Sequence, residues 1–91
     1  MANPFDLSGR VALVSGAASG MGKAASIALA EAGADVVLAD IDDAGAQATA
    51  DEIASLGRKG VAVHCDISQP EEIRAMFARV DEDFGRIDFV A

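Results

Sequence analysis

The 91-residue chain has no tryptophan and no tyrosine; its four aromatic residues are Phe5, Phe77, Phe84 and Phe89. Without tyrosine it has no phenol to serve as a general acid or base. One cysteine, Cys65, excludes a disulfide within the chain and a cysteine-based metal site. It is expected to pack as a small apolar residue in a reducing compartment. Bases are scarce too: 7 Lys and Arg stand against 15 Asp and Glu, a formal net charge of -8. A module that grips duplex needs a basic stripe to displace counterions, so nucleic acid is not an expected partner, and neither is an anionic membrane surface. No segment has the apolar length to span a bilayer. Met1–Asp6 lacks the cationic start and apolar stretch of a signal peptide. The expectation is a soluble cytoplasmic protein. None of this excludes a nucleotide, because backbone amides hold phosphate without any cationic side chain.

What the chain has in quantity is alanine, 20 residues of it, within a hydrophobic fraction of 52%. That composition is globular, and the length suits one small domain and not two. Arg10–Ser15 is a short, nearly continuous apolar run ended by Gly16, as in a strand buried on both faces. Met21–Ala32 is rich in helix formers and closes at Gly33. Asp35–Asp40 reads as a second buried strand with a carboxylate at its far end. Asp42 or Asp43 is placed to cap the next helix, in which Thr49, Ile53 and Leu56 recur at helical spacing before Gly57. Val61–His64 is a third strand. Ser68-Gln69-Pro70-Glu71 has the form of a capping box with proline in the first turn. Ile73, Met76, Phe77, Val80 and Phe84 then keep one apolar stripe until Gly85, and Ile87–Ala91 begins a fourth strand.

Strands and helices alternating at this spacing predict an α/β fold with a parallel sheet. Right-handed crossovers give the strand order 3-2-1-4 with three crossover helices, the first two on one face and the third on the other, incomplete at the fourth strand. The third helix is then alone on its face and the fourth strand is an uncovered edge.

The loop Gly16-Ala17-Ala18-Ser19-Gly20-Met21-Gly22 lies where such a fold binds phosphate, between the first strand and the first helix. Gly16 allows the tight turn, Gly20 lets the backbone approach a diphosphate, and Gly22 lets the helix pack closely. A glycine triplet alone also marks ordinary turns; the strand before it and the helix after it make the stronger case. Lys23 is followed by Ala24, which excludes the Gly-Lys-Ser/Thr ending of a P-loop, and Lys23 reads as a solvated helix residue. Asp40 lies 18 residues past Gly22, where an acid accepts hydrogen bonds from the hydroxyls of an adenosine ribose. Ser19 and Ile41, where a base could neutralise a 2′-phosphate, are uncharged. That pattern favours NAD over NADP; a strand-end acid that only caps a turn is the plainer alternative. Asp66 stands at another strand end and reads equally as an acceptor for an adenine amino group or as an Asx-turn. His64, the only histidine, reads as a core or rim residue rather than a ligand or base.

Ser15 to Gly22 resembles the Thr-Gly-x-x-x-Gly-x-Gly fingerprint of the short-chain dehydrogenases/reductases, with Ser15 for the common Thr and Met21 for the common Ile. Asp40, the run Cys65-Asp66-Ile67-Ser68, and Phe84-Gly85-Arg86-Ile87-Asp88 fall where that family has its ribose acid, its adenine-pocket Asp and its lead into strand four. The resemblance implies a Rossmann-like fold. It places Gly16, Ser19, Gly20, Met21 and Gly22 around the diphosphate and adjacent ribose. Asp40 and Ile41 would line the adenosine ribose, and Asp66 with Ile67 would meet the adenine edge. It further implies NAD as cofactor, a small alcohol or ketone as substrate, and a homo-oligomer, a tetramer or dimer. The family's Ser, its Tyr-x-x-x-Lys pair and its Asn have no counterpart in these residues, so no catalytic residue is assigned here. Residues 1–91 are expected to be the N-terminal part of a single dinucleotide-binding domain, inactive alone. A non-catalytic dinucleotide-binding module and an adenosylmethionine-dependent methyltransferase are the alternative readings.

Overall fold

A computed structural model of the protein describes residues 6–91. Strand β1 (Val11–Ser15) leads to helix α1 (Gly20–Glu31), β2 (Asp35–Asp40), α2 (Asp43–Ser55), β3 (Gly60–His64), α3 (Pro70–Phe84) and β4 (Phe89–Val90). All pairings are parallel, and the order across the sheet is β3-β2-β1-β4, as the spacing predicts. Val11 pairs with Asp35, and Asp40 with His64, so the ends of β1, β2 and β3 that carry the candidate residues lie along one edge.

The central strands are apolar on both sides because both faces are covered. Val14, Val36 and Leu38 pack with Ala30, Ala46, Ala50 and Ile53 on the α1 and α2 face. Val11, Leu13, Val37 and Val63 pack with Met76 and Val80 on the α3 face. Each fully buried Leu or Ile, such as Leu38 or Ile53, contributes about 1.5–3 kcal/mol by leaving water. Small residues matter as much: a Cβ on Gly60 would meet the backbone of Ala50 at 3.0–3.1 Å, so this glycine sets how closely α2 approaches β3. Cys65 packs as an apolar residue, as expected, and burial pushes its thiol pKa up.

Asp42 caps α2 by accepting from the N–H of Gly45 at 2.9 Å. Gly85, at φ 73°, ends α3 in the left-handed conformation. Two local expectations fail. Leu56 is exposed despite its spacing, because α2 ends at Ser55 and Leu56 is already turning away. Ser68 does not begin a capping box: α3 starts at Pro70 behind Gln69, and the Ser68 hydroxyl donates to Asp66 at 2.7 Å. The competing Asx-turn claims Ser68 one residue before the helix can. On the far face α3 is the only helix among the described residues; its Phe77 is exposed, and so are both residues of the edge strand β4, Phe89 and Val90, which point to opposite faces of the sheet. No helix among the described residues is long and apolar enough to cross a membrane.

Candidate functional site

The first bend after β1 is built for close approach. Gly16 sits at φ 66° and donates its N–H to the Ala39 carbonyl at 2.9 Å, which turns the chain across the end of β2. A side chain at that φ is strained. Gly20, at φ 60°, opens α1 with open space where its Cβ would stand. Gly22 differs: a Cβ there would lie 2.0 Å from the Gly16 carbonyl oxygen, so its missing side chain lets the helix start rest on the turn.

Ser19 precedes the helix in an extended conformation, and its side chain caps nothing. The first i→i−4 bond runs from the Lys23 N–H to the Ser19 carbonyl, which leaves Gly20, Met21 and Gly22 ahead of it without intrahelical partners. No acid occupies the first turn. These N–H groups and the positive end of the helix dipole form a neutral site with a preference for anions. The donor set fits a diphosphate.

Asp40 closes the other side. One carboxylate oxygen accepts from the Ala18 N–H at 3.0 Å and the other from the Asp42 N–H at 2.9 Å. Those bonds hold its carboxyl below the usual carboxylate range, Asp42 having the larger effect and Ala18 the next. The turn-capping role is therefore real, and it leaves a second lone-pair direction on each oxygen for a ribose hydroxyl. Asp66 accepts the N–H and the hydroxyl of Ser68 on Oδ1, at 2.9 and 2.7 Å, while its own N–H donates to Glu72 at 3.1 Å. Its carboxyl is held low chiefly by the Ser68 hydroxyl. Among the described residues no donor meets its Oδ2.

Gly16, Ala39, Asp40, Ile41, Cys65, Asp66 and Ile67 enclose a cleft of about 180 Å³ at the carboxyl ends of the strands. Pockets that engulf a whole small ligand run to roughly 300–1,000 Å³, so this cleft has room for only one part of an extended ligand. Ile41 and Ile67 in its lining are 64% and 66% exposed, and Met21 on the adjoining helix start is 90% exposed, apolar side chains free to cover a ring or sugar. A larger cavity of about 250 Å³, lined by Phe77, Val80, Asp81, Arg86 and Ile87, lies at the opposite end of α3. None of the candidate residues lines it.

The expected residues thus converge: Gly16, Asp40, Ile41, Asp66 and Ile67 line the cleft, and Ser19, Gly20, Met21 and Gly22 form the adjoining helix start. His64 is a rim residue, its Nδ1 2.7 Å from Asp43 and its Nε2 3.7 Å from Glu72, and the Asp43 hydrogen bond raises its pKa. Lys23 is half-exposed and pairs with Glu52 at 3.1 Å instead of standing free in solvent. Three contributors were missed. Ser15 donates its hydroxyl to the Ala91 carbonyl at 3.1 Å, Glu72 holds Asp66, and Thr49 reaches the glycine turn.

A parallel sheet with ligand groups gathered where its strands end is the arrangement of doubly wound nucleotide-binding folds. The family model described as enoyl-(acyl carrier protein) reductase matches residues 16–91. A short chain dehydrogenase/reductase, astE of Aspergillus oryzae, is 40% identical over 85 residues, which are 92% of this chain and 33% of that protein. A (-)-trans-carveol dehydrogenase of Rhodococcus erythropolis is 38% identical over 95 residues, 91% of this chain and 34% of that protein. Among solved structures, a short-chain type dehydrogenase/reductase from Mycobacterium marinum superposes with a TM-score of 0.91 at 43% identity, covering 94% of this chain and 35% of that one. A hydroxysteroid dehydrogenase from Escherichia coli gives the same TM-score at 36% identity, covering 94% of this chain and 37% of that one. The chain belongs to the short-chain dehydrogenase/reductase family, whose members generally bind nicotinamide dinucleotides. It spans about a third of the length of the curated relatives it matches.

Proposed function

We propose that residues 1–91 are the N-terminal part of a single dinucleotide-binding domain and that they hold NAD for the interconversion of an alcohol and a carbonyl. The observation that carries this reading is the pairing of an uncapped helix start at Gly20–Gly22 with the Asp40 carboxylate across one short turn. The amides of that helix start would take the diphosphate, with Gly16 and Ser19 beside it. Asp40 and Ile41 would take the adenosine ribose, and Asp66 and Ile67 the adenine edge. Bound NAD supplies the hydride acceptor. The protein's own part is to orient the dinucleotide and to exclude its 2′-phosphorylated relative by the charge of Asp40.

Acid/base chemistry belongs outside these residues, because the chain has no tyrosine and the relatives are about three times as long. The complete enzyme on this reading is a cytoplasmic homo-oligomer acting on a small alcohol or ketone. Titration of the chain with NADH and NADPH, followed by nicotinamide fluorescence, tests the proposal. NADH is expected to bind weakly but in preference to NADPH, with no alcohol oxidation by the chain alone. Ile41→Arg should move the preference towards NADPH. Equal affinity for the two cofactors overturns the assignment of NAD, and measurable turnover overturns the placing of the acid/base groups.

A further inference from the structure

The grip on a diphosphate depends on the turn before α1 keeping its shape, and that turn is supported from behind by α2. Thr49 is fully buried on α2, and no ligand could touch it. Its hydroxyl lies 3.1 Å from the carbonyl oxygen of Ala17, in the middle of the turn and 32 residues away in sequence. The same hydroxyl lies 3.2 Å from the Gly45 carbonyl one helical turn back. It has a single hydrogen to give. The Gly45 contact is the ordinary back-bond of a helical threonine, whereas the Ala17 contact joins two elements.

Gly45 carries the second, independent sign. A Cβ there would lie 2.8 Å from the Ala18 Cβ and 2.5 Å from an Asp42 carboxylate oxygen. Glycine inside a helix weakens it relative to alanine, and here it lets α2 press against the turn. Residues 16–18 are then fixed on three sides. The Gly16 and Ala17 N–H groups meet the Ala39 carbonyl, the Ala18 N–H meets Asp40, and the Ala17 carbonyl meets Thr49. The next residues, Ser19, Gly20 and Met21, are exposed.

We propose that Thr49 is a positioning residue, which sets the orientation of the Gly20–Gly22 amides by fixing the Ala17 peptide from α2, with Gly45 making the approach possible. The inference rests on the reading of that helix start as a diphosphate site. Thr49→Val keeps the shape and removes the hydroxyl; Thr49→Ser keeps the hydroxyl. ADP and NADH affinities of Thr49→Val are expected to fall about three- to tenfold, the equivalent of one neutral hydrogen bond. Adenosine, which lacks phosphate, should bind as it does to the parent chain, and Thr49→Ser should restore ADP binding. Equal loss for ADP and adenosine, or none for either, overturns the proposal.

A ligand-free measurement keeps the two readings apart. Backbone amide resonances of residues 17–22 should shift or broaden in Thr49→Val and return in Thr49→Ser; spectra that match the parent overturn the positioning role. If the parent chain binds neither ADP nor NADH, the functional reading falls, and the amide spectra still decide the role of Thr49. Should Thr49→Val fail to fold, Gly45→Ala presses on the same turn through Ala18 and must reproduce the pattern; parent-like ADP binding by that variant overturns the proposal.

Discussion

Replacing Asp40 with alanine separates recognition of the sugar from support of the turn. The carboxylate accepts from Ala18 at 3.0 Å and from Asp42 at 2.9 Å, so the change removes a brace as well as the proposed ribose partner. A hydrogen bond to a charged group is worth about 1.5–3 kcal/mol, and 1.4 kcal/mol is tenfold in affinity; NADH binding should therefore fall about ten- to a hundredfold. For NADPH a repulsion is relieved at the same time. A phosphate charge 4 Å from the carboxylate costs about 4 kcal/mol at an effective dielectric near 20. Asp40 lies at a solvated rim, where screening removes part of that, so the NADPH:NADH affinity ratio should rise by about tenfold or more. Asp40→Asn sharpens the test, since it removes the charge while its amide oxygen still accepts from one of the two N–H groups, so less of the brace is lost than in Asp40→Ala. Because backbone bonds hold the Asp40 carboxyl below its ordinary range, the parent's preference should persist into mildly acidic buffer. Fluorescence titration with both reduced cofactors gives the ratio, and far-ultraviolet circular dichroism establishes that the variants are folded. An unchanged ratio in two folded variants refutes selection by charge.

Gly22→Ala puts a Cβ within 2.0 Å of the Gly16 carbonyl oxygen, which is backbone and cannot swing aside. A lower melting temperature and loss of NADH binding are expected, and parent-like values for both would contradict the close seating of α1. Asp88 is held down to about 2 from an ordinary 3.8, chiefly by the Arg86 side chain and then by the Val11 N–H. Its folded value lies below its unfolded one, so its contribution is complete above 3.8 and is lost as pH falls towards 2. Asp88→Asn should flatten the acid side of a urea-midpoint profile in that window, and a profile parallel to the parent's would count against it. Buried Cys65, its thiol pKa raised, should react with a disulfide reagent at mildly alkaline pH only after denaturant is added; rapid reaction in the native chain would show the strand end to be open.

Most of the fold is legible because its punctuation is local. Gly85 ends a helix through its own φ, Pro70 starts one through its ring, and the alternation of strands with helices leaves few topologies. Asp40 and the glycine turn are legible for a related reason: their spacing along the chain encodes one βαβ unit. Thr49 is not. Periodicity marks it only as buried, and nothing near it in sequence announces a partner at Ala17. Gly45 did carry a signal, since an isolated glycine within a helical pattern often has a packing reason. Ser68 and Leu56 show the opposite limit, where two local rules compete and the tertiary path decides. Asp66 takes the serine before α3 can use it, and α2 stops before Leu56 can turn inward.

The distribution of charge gives the site its character. Lys23 pairs with Glu52, Arg79 with Asp83, and Arg10 and Arg86 with Asp88, while Lys59 lies over the Phe84 ring. No Lys or Arg lines the cleft, and Asp40 and Asp66 do. A chain with a net charge of -8 therefore meets an anionic ligand with repulsion at long range and attraction only within reach of the helix amides. The dipole effect falls off within the first turn, so it selects geometry and does little to steer encounter. Salt should then raise the association rate by screening the excess acid, the reverse of a phosphate site built from lysines. A rate that instead falls with ionic strength would require a cation at the diphosphate, and the neutral-amide account of the glycine turn could not stand.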